Sequence, residues 1–574
     1  MDTNQSHPQK KRISPTKRRW ARSCGTVLAV AIVLPACGAP EEAHALSSSE
    51  AAVLTSRNDN YRTGAQIREK KLRPEKINVD NFGLQFTRQV DGKIYAQLLY
   101  VPKVRTADGH KHDIVYAATA HNTVYAFDAN DETRTEPLWS KNLGPSVPVA
   151  DTASATRTCA NMTPEVGITG TPTIDWPSET MYLVAKIKEN GLWFNRLFAL
   201  DIASGDLRRP PVDIAGSVEG TGDTSVNGVL TFEGRRHNQR PGLLLLNGVL
   251  YIAFASHCDV PPHHGWIFAY DANKFERKAV WSTTPNGEAG AIWQSGVGLS
   301  ADDDGRVYFT SGQGVYPPYV GRVQNGFGQT VGKLFLHNDT FELEDWFIPS
   351  NVVAQNDADQ DMSFGPIIIP HTNLAASLMM GRFKPAKMYI LQRNNFGHFH
   401  DNAADEITQT VEISDPDFTA DPLRTQFHRA NSIAYWNGRL YSWTQNDFPR
   451  AYAIEGSSVS SAPVATGTTK VFSSSVTGML SISADDKKDG VLWGSVIVEP
   501  DVPTSSNAIG KTVVYAFDAI TLQELWNSRQ NQARDEVGSW PKWPQPVVAD
   551  GKLFVVNHDN QVKVYGLFDE GDDE

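Results

Sequence analysis

Hydrophobic residues along this chain recur in short alternating runs rather than in helical stripes, and the runs repeat. The clearest, VYAATAHNTVYAFDANDETRTEPLWSKNLG at residues 115–144, reads as two strands joined by a turn, an Asp-initiated turn, and an outer strand carrying a Trp. Its signature is a five-residue strand end with an aromatic residue in second place and usually a closing Asp. VYAFD at 124–128 is followed by LFALD at 197–201, IFAYD at 267–271 and, unchanged, VYAFD at 514–518. Looser copies are KLFLH at 333–337, MYILQ at 388–392, AYAIE at 451–455 and VYGLF at 564–568, eight in all. Successive copies lie 50 to 73 residues apart, room for a four-stranded antiparallel sheet with long loops. The pattern predicts an all-β chain forming a single eight-bladed β-propeller.

Each unit has the same internal order. An inner strand opens with small residues and Pro (GITGTPTID at 167, RPGLLLLNG at 240, SGVGLSADDDG at 295, ANSIAYWNG at 430), and an Asp/Asn/Gly turn leads to an aromatic second strand. The third strand ends in its Asp, and the outer strand carries Trp139, Trp281, Trp346 or Trp526. These Asp and Trp residues read as turn caps and inter-blade packing. The last unit, residues 546–567, lacks an outer strand, while LQFTRQV at 84–90 belongs to no complete unit. Pairing the two closes the ring and removes a sheet edge.

The repeat overrides what 574 residues would otherwise suggest, several domains. The amino terminus carries seven basic residues followed by an apolar run at 26–34, too short to span a bilayer. That is an export segment, with two cleavage readings: Leu34-Pro35-Ala36-Cys37 reads as a lipobox with Cys37 lipidated, and Ala43-His44-Ala45 as a soluble site. The expected organisation is a signal peptide at 1–36 (or 1–45), an irregular lead-in across the surface at 37–80, the propeller at 81–568 and an acidic tail at 569–574.

Charge and cysteines narrow the function classes. Removing residues 1–36 leaves 46 basic against 64 acidic residues, taking the net charge from -12 to about -18. Such a chain repels phosphate backbones, which excludes nucleic acid as a partner. With Cys24 in the export segment and Cys37 at the lipidation point, Cys159 and Cys258 remain, and in an oxidising compartment they are expected to pair. The expected location is the periplasm or the outer membrane as a lipoprotein, or outside the cell, with membrane contact only through the lipid. A monomer is expected.

In a four-stranded blade the second-to-third loops and the entries to the inner strands open on one rim of the central channel. That rim collects His121, Glu165, Arg240, His257, Asp259, His263, His264, Asp357, Asp359, Asp361, Arg382 and His558. Histidines and carboxylates converging on one axis point to a binding or catalytic site. The run Asp357-x-Asp359-x-Asp361-x-Ser363 also has alternating oxygen ligands of the kind that encircle a hard cation.

The segments AFDANDETRTEPLW and AFDAITLQELW resemble the tryptophan-docking repeat of the quinoprotein alcohol dehydrogenases, and the likeness extends as a repeat over residues 81–567. The resemblance implies pyrroloquinoline quinone (PQQ) with calcium. Calcium would be held by an acid and an amide from second-to-third loops and an Asp entering the next blade, and an Arg would contact the quinone. Asp259, Gln313, Asp361 and Arg382 stand at those places in that order. Gln313 replaces the usual Asn, Asp259 the usual Glu, and the adjacent-cysteine disulfide is missing. On this reading Asp361 or Asp357 takes the substrate hydroxyl proton, and Arg382, Arg240 and His257 are the candidate cofactor contacts. Fold and function separate here. The same rim would serve an exported oxidoreductase acting on a hydroxylated small molecule or sugar, or a non-catalytic propeller binding a glycan or a cell-envelope protein. A third use is a polysaccharide lyase with His257 or His264 as base and Arg240 or Arg382 neutralising a uronate.

Overall fold

The alternating runs pair, in the computed structural model, into eight antiparallel sheets that form a β-propeller. The structure describes residues 50–152, 162–316, 326–357, 360–362, 364–379, 386–401, 403–414, 432–445, 447–470, 479–498 and 510–568. Residues 45–574 make up one unit; the expected export segment and acidic tail lie outside the described residues. Among those residues the only α-helices are two short ones, Val352–Asp357 and Gln532–Asp535, beside the 3-10 turns Pro74–Lys76 and Val149–Asp151.

All eight recurrent segments are third strands, from Thr123–Asp128 in blade 1 to Gln561–Leu567 in blade 8. The closing Asp caps the turn that follows it. Asp128, Asp201, Asp271 and Asp518 each accept two backbone N–H bonds through Oδ1, from the residues two and three further on. The outer-strand Trp then docks on the neighbouring blade: Trp139 Nε1 donates to the Ile202 carbonyl at 3.0 Å. Its ring lies so close over Gly205 (φ +75) that a Cβ there would come within 2.5 Å of it.

Ring closure follows the expectation. Phe82–Gln89 pairs antiparallel with Gln561–Leu567 and becomes the outer strand of blade 8. Phe82 is fully buried against Trp493, Trp526 and Tyr565, with ring centroids at 5.5, 5.0 and 6.5 Å. A segment from the start of the chain thus locks the last blade and leaves no open edge.

The lead-in departs from expectation. Residues 53–69 do not run over the surface; they pass around the inside of the channel and touch the blades in order. Val53 exchanges backbone bonds with Tyr100 of blade 1 (2.8 and 3.0 Å), and Ile174 N–H of blade 2 donates to Leu54 at 2.8 Å. Asn60 Nδ2 donates to Leu245 of blade 3 at 3.0 Å, and Ala301 N–H of blade 4 donates to the Asn60 carbonyl at 2.8 Å. Tyr61, Thr63 and Gly64 then accept from Ile368, Tyr435 and Ile482 of blades 5, 6 and 7, and Glu69 Oε2 accepts from Gly551 of blade 8 at 2.9 Å. The reason is that each inner strand is an edge whose outward N–H and C=O groups face the channel and need partners. A polar, turn-rich segment supplies them.

Two guanidiniums pin this segment. Arg62 donates to the carbonyls of Leu299 (2.7 Å), Ser56 (2.7 Å) and Leu243 (3.1 Å) and to Thr55 Oγ1. Arg57 donates to the carbonyls of Leu480 and Ile433 and to Gln545 Oε1. Both side chains are fully buried. Burial brings Arg57 down to about 9 and Arg62 to about 10, against the raising effect of Asp59. Gly64 (φ +74) is obligatory here, because a Cβ would sit 2.3 Å from the Arg57 guanidinium.

Candidate functional site

The side of the plugged channel where the inner strands begin is referred to as the bowl, and its floor is the level of a residue that repeats at the inner-strand entries. Gln97, Gln239, Gln294 and Gln545 occupy this position in blades 1, 3, 4 and 8, and all are buried. Gln97 Oε1 accepts from Arg57 N–H and from Gln545 Nε2, both at 2.8 Å. Gln294 bridges Thr310 N–H (3.1 Å) and the Gly298 carbonyl (2.7 Å). A long amide can accept from one strand and donate to another, which sets the height of the floor.

Within two residues of these glutamines in sequence are Tyr95, Arg240, Trp293 and Trp543, which form the wall. The Arg240 guanidinium lies between two indoles, 4.8 Å from the Trp293 centroid and 4.0 Å from that of Trp543. Its Nε is sealed from solvent without a hydrogen bond, and among the described residues no ion pair with it falls within 4.0 Å. Asp259 and Asp361 act on it at longer range. Burial, against the pull of Asp259, Tyr95 and Asp361, brings it down to about 10. The loop that carries it is anchored from behind: the buried Lys186 ammonium donates to the carbonyls of Gly234 (2.6 Å) and His237 (2.7 Å).

The rim residues divide into groups. On the side of blades 3 to 5, Asp361 Oδ1 accepts from the Gln313 backbone N–H at 3.0 Å. Both adjoin Trp293, since a Cβ at Gly312 would lie 2.7 Å from Trp293 Nε1 and 2.8 Å from Asp361 Oδ1. Asp259 sits on a tight loop in which it and Cys258 both have left-handed backbones, φ 51 and 52, with its N–H donating to Ser256 Oγ at 3.2 Å. Cys258 is in disulfide form. His257 is buried with Nε2 unbonded, and burial holds it well below the ordinary histidine value, followed by the charges of Lys186, His237 and Arg240. On the side of blades 8 and 1, Tyr95 packs against Trp543 at 5.2 Å and His558 at 4.9 Å. Burial, then Arg240 and Lys93, bring the Lys542 ammonium down to about 7.

Other expected site residues are placed elsewhere. His264 points out of the bowl to Thr284 Oγ1 (2.9 Å) and to Asp223 of the Ser217–Glu219/Val229–Thr231 hairpin (2.9 Å), a structural tie. His121 Nδ1 meets Glu165 at 3.0 Å on the rim between blades 1 and 2. Asp357 ends a short helix, where its charge acts on Tyr316. Asp359, Ser363, Arg382, Cys159 and Cys37 lie outside the described residues. Among the described residues no three His, Cys, Asp or Glu side chains form a metal cluster, so a cation here would draw on the Gln313 amide and backbone oxygens as well as Asp259 and Asp361.

The wall residues Tyr95, Trp293, Trp543, Lys93 and Lys542 were not among the sequence candidates. The available signal was the glutamine beside them, recurring in IYAQ, NQR, IWQ and WPQP.

No family model matches the sequence, and no curated protein matches it. Solved structures do match in fold. The quinohemoprotein alcohol dehydrogenase of Comamonas testosteroni aligns over 90% of this chain and 80% of its own, with a TM-score of 0.54 and 12% identity. Quinohemoprotein alcohol dehydrogenase ADHIIG of Pseudomonas putida HK5 aligns over the same shares, with a TM-score of 0.50 and 14% identity. The chain therefore has the eight-bladed propeller fold of the quinoprotein alcohol dehydrogenases, as its repeat implied; at these identities the likeness is one of fold.

Proposed function

We propose that this protein is an exported oxidoreductase that uses PQQ and calcium, held in the bowl, to oxidise a hydroxylated small molecule. The observation that carries the reading is Arg240, a guanidinium close to both Trp293 and Trp543 with a sealed, unbonded Nε and, among the described residues, no ion pair within 4.0 Å. An unpaired cation in such a place is costly unless a ligand completes it. A planar carboxylated quinone offers both a face for the indoles and an anion for the guanidinium.

The donors toward blades 3 to 5 suit the second component. Asp259, Asp361 and the Gln313 amide are hard oxygen ligands of the type calcium takes. When bound, the quinone supplies the two-electron acceptor. Asp361, oriented by the Gln313 N–H, takes the substrate hydroxyl proton, and Arg382 is assigned as a second contact to the quinone. Reconstitution with PQQ and calcium is expected to give dye-linked oxidation of at least one member of an alcohol and sugar panel. Asp361→Asn should lower kcat about 100-fold or more, the scale of a lost general base. No turnover from saturated wild-type protein would reject the oxidoreductase reading and leave a propeller that binds a glycan or an envelope protein through the same rim.

Export through the segment ending at Cys37 or Ala45 belongs to this proposal, as does the pairing of Cys258 with Cys159, which would tie the rim loop of blade 3 to the entry of blade 2. Thiol labelling of the denatured, unreduced mature chain should leave both cysteines unmodified; modification of Cys159 would show another partner.

A further inference from the structure

The bowl is electrostatically lopsided. Its carboxylates, Asp259 and Asp361, come from blades 3 and 5, whereas the side of blades 8 and 1 carries Lys542, near Trp543, and Lys93, whose charge acts on Lys542. Lys542 Nζ lies 5.8 Å from the Trp543 centroid, on the same ring that Arg240 approaches at 4.0 Å. Two cations on one indole, in a chain of net charge -12, repel each other and persist only where the fold imposes them. Here it does: Lys542 is held at φ +73, a left-handed conformation that a lysine rarely adopts. Lys93 is fastened by its Nζ bond to the Thr163 carbonyl at 2.7 Å. A second observation points to a ligand at this wall. The ring of His558, packed on Tyr95, has an Nε2 sealed from solvent without a hydrogen bond.

We propose that the Lys542–Lys93 wall is a carboxylate subsite for the substrate, which makes the substrate class hydroxy acids: the carboxylate seats at Lys542 and Lys93 beside Trp543, and the hydroxyl stands on its bowl side. This rests on the oxidoreductase reading for the fate of the hydroxyl, but not for binding. Two ammonium groups are point charges that fit a rotating carboxylate, whereas the stacked Arg240 presents a planar edge. The aromatic wall also provides area for the body of the ligand.

The test is calorimetric titration of the full mature chain, without quinone, using mandelate and its neutral isostere mandelamide. Mandelate is expected to bind about 10-fold or more tightly than mandelamide, with a preference that shrinks as salt is raised. Lys542→Gln and Lys93→Gln should each remove most of that preference and leave mandelamide binding unchanged, and Lys542→Arg should restore part of it. Near-ultraviolet circular dichroism of each variant checks the fold. Equal affinity for the two ligands, no mandelate binding at millimolar concentration, or indifference to both neutralising substitutions would overturn the proposal. PQQ titrations separate the sources of the anion. If Lys542→Gln weakens PQQ as much as mandelate, the subsite belongs to the quinone carboxylates and the substrate assignment fails. If PQQ does not bind at all but mandelate behaves as stated, the subsite stands and only the oxidoreductase reading falls.

Discussion

Replacing Arg57 with Met is expected to destabilise the propeller by about 3 to 5 kcal/mol, and replacing Arg57 and Arg62 together should leave little cooperative folding at all. Arg57 satisfies the carbonyls of Leu480 and Ile433 and the Gln545 amide, while Arg62 satisfies Leu299, Ser56 and Leu243. Methionine fills most of the volume but leaves these acceptors buried and unbonded, at about 1 to 3 kcal/mol for each group. Because the segment bonds to every blade, its loss removes hydrogen bonds from all eight at once, and total stabilities of about 5 to 15 kcal/mol do not tolerate that. The two substitutions share one segment, so their effects should not add in full. Urea unfolding of the single and double variants measures this. A double variant that melts like wild type would mean that the ring needs no plug.

A steep acid sensitivity beginning near pH 6.5 is the second large effect. Burial, the leading cause, holds His237 well below the ordinary histidine value and brings His263 down to about 4; neighbouring His264 pushes both in the same direction, and Lys186 adds to the shift of His237. Both side chains are at most 4% exposed. Their native pKa values are depressed, so below about pH 6.5 the unfolded chain takes up protons that the native state refuses. Stability is therefore full above that pH and falls as pH drops, for His263 down to its native value of about 4. Each histidine contributes a slope of about 1.4 kcal/mol per pH unit, roughly 3 kcal/mol per unit for the pair. Burial, with Lys93 and Lys542, acts on His558 in the same direction, bringing it down to about 3. Denaturation midpoints at pH 7.5 and 5.0, for wild type and His237→Gln/His263→Gln, give the measurement. The double variant should be weaker at pH 7.5 but should lose much less between the two pH values. Parallel losses in both proteins would assign the acid effect to other groups.

The propeller was legible because its rules are local. A strand end such as VYAFD carries its period, its turn cap and its blade position within a few residues, and the Asp128 and Asp518 caps repeat atom for atom. Closure was legible too, since a strand without a sheet and a sheet without an outer strand define each other. The plug was not. RNDNYRTG has the composition of a solvated loop, and its burial is dictated by eight inner-strand edges that exist only once the ring has formed. Arg57 and Arg62 therefore looked like surface charges.

The site was half legible for the same kind of reason. His, Asp and Arg stand out in rim loops, which is how Asp259, Asp361 and Arg240 became candidates, while Gln313 came from the resemblance, by its place in the order of calcium ligands. The aromatic wall is ambiguous in a chain with 14 Trp, most of whose roles are packing. The repeat places Trp139 on an outer strand, whereas Trp293 lies in an inner-strand entry outside the repeat signature, and its approach to Arg240 is not written in local sequence. His264 shows the opposite error: a rim position with the chemistry of a base, turned outward to hold a hairpin through Asp223.

The central claim is that the bowl binds a planar anionic quinone through Arg240 and its two indoles, and equilibrium dialysis of PQQ against the purified protein in calcium, read from the near-ultraviolet absorption of the quinone, tests it most directly. Wild type is predicted to retain PQQ at micromolar concentration, with Arg240→Ala weakening retention about 100-fold while the fold and the melting temperature of the ring stay close to wild type. Wild-type protein that retains no PQQ at that concentration, or an Arg240→Ala variant that retains it equally well, would contradict the account.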